Sequence, residues 1–132
     1  MPNEEITGPF ITSEILINNH LYKFVGSDNA LMGFGITTCS NPANVQNKTA
    51  NLPNFRLKDG GVCSVVFPKG NTADSITLNI NDTGDIPVYY KGQPIDAYDR
   101  PFREGEVATL IYSDGKYTLL TTDTPDFGPT GP

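Results

Sequence analysis

The stretch Val107-Ala-Thr-Leu-Ile-Tyr-Ser-Asp-Gly-Lys-Tyr-Thr-Leu-Leu-Thr121 decides the fold class. Two β-rich runs, Val107–Tyr112 and Tyr117–Thr121, flank Ser113-Asp114-Gly115-Lys116. An Asp-Gly pair favours positive φ at both centres of a two-residue hairpin turn, so the stretch predicts a β-hairpin. Working back along the chain, Ile86–Tyr90 has the same character. Ser75–Ile80 alternates cleanly, with Ile76, Leu78 and Ile80 on one side and Ser75, Thr77 and Asn79 on the other. Gly61–Phe67 reads as a central strand, apolar on both faces. The turn clusters Asn81–Asp85 and Lys91–Pro94 separate these runs. Strands recurring every eight to twelve residues predict an all-β domain, either a compact antiparallel β-sandwich or a small barrel.

The first third is less regular. Phe10–Ile17 and Leu21–Val25 flank Asn18-Asn19 and form a second candidate hairpin. Ala30–Thr37 is apolar but carries Gly33 and Gly35, which suggests a strand closely approached by another backbone. Ser40-Asn41-Pro42 offers a helix start, with an Asn cap and Pro at the first helical position. At most one or two helical turns are expected near 41–50, in a polar crossing segment without an apolar stripe. Residues 123–132, rich in Pro and Gly, read as a flexible tail.

Composition agrees with this reading. The 132 residues hold 37% hydrophobic and 18% charged positions, 13 Gly and 11 Pro, which suits one β domain and neither a helical bundle nor a disordered chain. The net charge of −6 gives no electrostatic footprint for nucleic acid. No apolar run is long enough for a membrane-spanning helix, so no membrane insertion is expected. The start, MPNEEITGPF, is acidic where an export signal carries Lys or Arg, so none is expected there. Cys39 and Cys63 lie 24 residues apart; a disulfide is open on count, and a buried free thiol is the preferred reading for Cys63 because it sits in an apolar run.

Few groups suit catalysis. The single histidine, His20, falls in the Asn18-Asn19-His20 turn and reads as a solvent-facing turn residue rather than as a base or metal ligand. No nucleophile elbow, zinc-protease motif or phosphate loop is present. The carboxylate pairs Asp96/Asp99 and Glu104/Glu106 lack the apolar surroundings around Glu104 that would tune one of them upward. Asn79–Gly84 imitates the start of a calcium loop, but Asn79 and Tyr90 stand where an acidic first ligand and a bidentate Glu are needed. No enzyme activity, cofactor or metal is expected. The functional hint is aromatic. Tyr89 and Tyr90 are adjacent, so a strand points them to opposite faces, with one outward near Lys91, Gln93, Asp96, Tyr98 and Asp99. Such a set suits a sugar's apolar face and hydroxyls or a protein interface, and equally a subunit contact or half-buried strand residues.

Three blocks within these strands carry a family resemblance, over a region opened by T-T-C-S at Thr37–Ser40. F-R-L-K-D-G-G-V-C-S-V-V-F from Phe55, G-N-T-A-D-S-I-T-L-N-I-N-D-T-G-D-I-P-V-Y-Y-K-G over Gly70–Gly92, and G-E-V-A-T-L-I-Y-S-D-G-K-Y-T-L-L from Gly105 resemble a β module of bacteriophage tail-fibre, head-fibre and baseplate proteins. Asp82 stands where that pattern has Gly, and Pro42 interrupts the segment after Thr-Cys-Ser. The resemblance implies a virion structural protein, assembled in the host cytoplasm as a homotrimer. It also implies capsid or tail proteins as partners and contact with host-surface carbohydrate. On this reading residues 1–36 are an N-terminal strand pair that docks on the particle, and residues 37–122 are the module. The alternative from another class is a stand-alone bacterial carbohydrate-binding module.

Overall fold

The computed structural model describes residues 14–23, 30–97 and 102–122. These residues are all-β, with no helix among them: a strongly curled mixed sheet forms a half-barrel, and a small hairpin packs against it. The strands are β1 (Glu14–Ile17), β2 (His20–Lys23), β3 (Met32–Thr38), β4 (Asn47–Ala50), β5 (Gly61–Phe67), β6 (Thr77–Ile80), β7 (Ile86–Tyr90), β8 (Gln93–Pro94), β9 (Glu106–Ser113) and β10 (Lys116–Thr122). The curled sheet runs β3-β5-β9-β10-β7-β6-β4, with β8 beside β7.

The tight turns form where turn chemistry places them. Asp114 and Gly115 take φ of 56° and 80°, and Asn18 and Asn19 take 50° and 68°, so both hairpins turn through two left-handed residues. The sheet is nevertheless mixed rather than wholly antiparallel. β3 pairs with β5, β4 with β6 and β10 with β7 in parallel. Each of these pairs is closed by a long connection, and a connection of that kind leaves no local mark in the sequence.

Alternation along the strands builds the core. Cys63, Val65 and Phe67 of β5, Ala108 and Leu110 of β9, and Tyr117 and Leu119 of β10 face inward. They meet Leu78 and Ile80 of β6 and Val88 of β7. Phe67 stacks on Phe102 with ring centroids 4.3 Å apart, closing one end. Fully burying a side chain such as Leu110 is worth about 2–3 kcal/mol. The next residues along face the opposite side. There Ile111 is covered by Ile17 and Tyr22 of the β1–β2 hairpin, with Val62 and Leu120 packed around them. The Tyr22 hydroxyl lies 2.7 Å from Ser113 Oγ, and Asn18 Nδ2 donates to the Ser113 carbonyl at 2.8 Å, so polar bonds fix where the hairpin sits.

The 41–50 segment, where at most one or two helical turns are expected, has none. Asn41 uses its side-chain oxygen to accept from the Thr49 N–H at 2.7 Å and the Thr49 hydroxyl at 3.2 Å, and after a turn at Pro42–Val45 the chain enters β4. An Asn side chain that pairs eight residues ahead offers the backbone an alternative to the helix. One expectation for the first third is corrected, at Gly33 and Gly35: a Cβ built on either would meet no described atom within 4 Å, so no described backbone approaches there. Gly35 instead has φ of +106° and sits where the β3–β5 register shifts, between Gly33 and Ile36. It is a bulge glycine. β3 itself crosses residues 36–37 and pairs with β5 on both sides of that point.

Candidate functional site

Pairing of β7 with β10 fixes the two tyrosines. Val88 faces the core, so Tyr89, opposite Thr118, lies on the outer face beside the hairpin, while Tyr90 turns back against the core. Lys116 Nζ lies 5.2 Å from the centroid of the Tyr89 ring, and Lys91 Nζ lies 5.2 Å from that of Tyr90. Each phenol is thus covered on one side by a cation.

The sequence-predicted residues divide between two grooves. One, of about 370 Å³, lies between the hairpin and the outer face and is lined by Leu16, Ile17, Asn18, Tyr89, Lys91, Gly92, Lys116 and Thr118. The other, of about 230 Å³, is lined by Tyr90, Lys91, Gln93, Pro94 and Ile95. Lys91 is the ridge between them. It stands at φ of 52° before Gly92 at 81°, in a turn whose first central position favours Asn, Asp or Gly. Asp96 is half-buried and lines neither groove. Tyr98 and Asp99 lie outside the described residues. The tyrosine pair therefore does not form one platform; Tyr89 and Tyr90 serve separate surfaces.

His20 sits in β2 rather than in the turn, half-buried, with its ring centroid 6.0 Å from that of Tyr22. The calcium-like run is a turn: Gly84 N–H donates to Asn79 Oδ1 at 3.3 Å, and Asn79 Nδ2 donates to Asp85 at 3.3 Å. Asn81 extends the β4–β6 ladder with its side chain, accepting from the Leu52 N–H at 2.8 Å and donating to the Leu52 carbonyl at 2.7 Å. Both cysteines are free and buried, and burial raises the Cys63 thiol to about 12.

Three features escaped the sequence reading. Lys48 is fully buried, and its ammonium donates to the carbonyl of Val45 at 2.9 Å and to those of Ala43 and Pro42 at 3.4 and 3.5 Å. Burial lowers its pKa. Glu106, rather than Glu104, is the buried carboxylate, accepting from the Arg103 N–H at 3.2 Å. The third is a polar cleft of about 560 Å³ along the seam where the half-barrel stays open. β3 and β4 are the two ends of the sheet order and run in opposite directions past each other. They are held together by side chains: the Thr37 hydroxyl donates to the Asn51 carbonyl, and Asn41 grips Thr49. Its lining, which includes Thr38, Ser40 and Pro42, is built from the segment that alternation left without a periodic pattern.

Among the described residues no three His, Cys, Asp or Glu side chains converge to hold a metal. A scan against protein-family models and searches of curated proteins and of solved structures give no match.

Proposed function

We propose that the chain is a structural subunit of a bacteriophage particle, displayed on its surface as a short fibre, tip or head-fibre/decoration subunit and assembled as a homotrimer. The observation that carries this reading is the set of three phage-fibre-like blocks. They supply β5, β6–β7 and β9–β10, five of the seven strands on the main path of the sheet. The open seam supports it as well. Two sheet edges that no described strand covers are a liability in an isolated molecule, and packing copies around a symmetry axis covers them. Leu21 and Ile36 add exposed apolar surface to be covered in the same way, at 39% and 59% exposure.

Size-exclusion chromatography with light scattering tests the assembly. The expected mass is three times the 14.3 kDa of one chain, and the protein is expected in purified particles by mass spectrometry. A monomer at micromolar concentration that is missing from particles overturns the proposal in favour of the stand-alone carbohydrate-binding module.

A further inference from the structure

We infer that the groove between the β1–β2 hairpin and the outer face of β7 and β10 binds an acidic sugar, a pyranose bearing a carboxylate. The inference deepens the surface-contact side of the proposed function and rests on it for the source of the ligand. The groove itself is argued from its own chemistry.

Charge comes first. The chain carries 15 acidic and nine basic residues, yet among the described residues the groove lining holds Lys91 and Lys116 and no carboxylate. Among the described residues the acid within ion-pair reach of Lys116 is Asp114, at 4.0 Å and 65% exposed, at the long limit of an ion pair. A pair that loose and wet holds the ammonium weakly and leaves it able to meet a ligand anion. Lys91 is exposed and stands in the left-handed turn position described above, where a lysine costs backbone energy that Asn or Gly would not.

The remaining lining fits the rest of a pyranose. Leu16 forms an apolar wall; it is 69% exposed, and the bonds from Tyr22 and Asn18 to Ser113 hold its strand in place beside the groove. Thr118 and Asn18 offer polar atoms for hydroxyls, and Tyr89 contributes an aromatic surface whose other partner is the Lys116 ammonium. A volume of about 370 Å³ suits one or two sugar rings. A neutral sugar would leave the Lys116 ammonium, set over Tyr89 in this groove, without an anion, and a bare inorganic anion would leave the Leu16 wall unused.

The test is a titration of the full-length, isotope-labelled protein followed by amide NMR. Three probes are used at matched ionic strength: a galacturonate trisaccharide, maltotriose as its neutral counterpart, and sodium acetate as a carboxylate without a sugar. The galacturonate trimer is expected to give saturable shifts at the amides of Asn18, Tyr89, Gly92 and Thr118. The double variant Lys91→Gln/Lys116→Gln is expected to weaken that binding about tenfold while the amides of Val65 and Leu110 stay in place. Leu16→Ser, at an exposed position, is expected to weaken it about threefold without unfolding. Maltotriose binding with the same midpoint would remove the role of charge and overturn the inference. Acetate reproducing the shifts would reduce the groove to an ion site, and the absence of saturable shifts would overturn it outright. None of these results moves the solution mass or presence in particles, so failure of the groove and failure of the particle reading are distinguishable.

Discussion

The β5–β9–β10 sheet and the β3–β4 seam are held together by different physics. In the first, neighbouring strands pair along seven residues of β5 and most of β9 and β10, and every second side chain enters a dry core. In the second, two edges pass each other without a ladder, and single side chains do what backbone does elsewhere. Asn41 caps Thr49, Thr37 reaches Asn51, and Lys48 gathers the carbonyls of the 42–45 turn. The first region distributes its stability over many apolar contacts. The second concentrates it in a few polar atoms. Substitutions should therefore fail differently in the two regions.

The largest effect is expected in the sheet. Leu110 is fully buried on β9 between β5 and β10, and Leu110→Ala should cost about 3 kcal/mol in denaturant unfolding, through lost transfer energy plus a cavity. A loss below about 1 kcal/mol would mean that the half-barrel collapses onto the gap, and that the supposed core is loosely packed.

Lys48 is the counterpart in the seam. The N–H of Val45 already occupies the Pro42 carbonyl and that of Thr72 the Ala43 carbonyl, whereas the Val45 carbonyl receives the shortest Lys48 bond, at 2.9 Å. Lys48→Met keeps the apolar stem and strands that carbonyl, at an expected cost of about 2 kcal/mol. Removal of the buried ammonium also relieves a desolvation cost. Unchanged or increased stability would show that the desolvation outweighs the three bonds.

Alkaline pH separates the two regions by sign. Burial raises the Cys63 thiol to about 12 and raises the phenols of Tyr22 and Tyr117. All three hold their protons more tightly folded than unfolded. Their stabilisation is complete below pH 9 and drains as pH rises from there, at about 1 kcal/mol per pH unit for Cys63 between 9 and 12. Lys48 tilts the other way: its pKa is lowered by burial, so the unfolded chain holds the extra proton and stability rises as pH approaches 10.5. Stability measured at pH 8, 9 and 10 should fall over the last step. Cys63→Ala should flatten that step, and Lys48→Met should steepen it. An unchanged slope in Cys63→Ala would place that thiol in contact with solvent.

The same division explains what could be read from the sequence. The Asp114-Gly115 and Asn18-Asn19 turns, the alternation of Ile76, Leu78 and Ile80, and the apolar run of β5 are local patterns, and the structure has all of them. The opposite facing of Tyr89 and Tyr90 follows from the two-residue period alone. The parallel pairings and the neighbourhood of the β1–β2 hairpin depend on where distant elements meet. Leu16, Asn18 and Lys116 consequently could not be assigned to the Tyr89 groove before the fold was known. Residues of the seam and of the adjoining end of the β4–β6 ladder are harder still. Asn41, Lys48 and Asn81 are polar residues in a polar stretch, and nothing in their spacing distinguishes a side chain that substitutes for a ladder from one that faces water. Of the three, the burial of Lys48 is the least legible, because a lysine is buried only where several carbonyls converge on it.

The smallest expected effects lie on β3, and they bear on why its glycines are there. Both Gly33 and Gly35 are exposed, and neither would bring an added Cβ within 4 Å of anything, so sterics against neighbours predict two silent substitutions. Backbone conformation predicts otherwise. Only Gly35 has a left-handed φ, +106°, at the bulge where the register with β5 shifts. Gly35→Ala should therefore cost about 1–2 kcal/mol or straighten the bulge, while Gly33→Ala should fall within about 0.5 kcal/mol of the parent and on the stabilising side, because the unfolded chain loses freedom. Equal costs at the two positions would mean that the bulge is not maintained in solution and that β3 slides along β5. A slide of one residue would move Thr37 to the other face of the strand and break its bond to Asn51, which ties the seam's fate to a glycine that touches nothing.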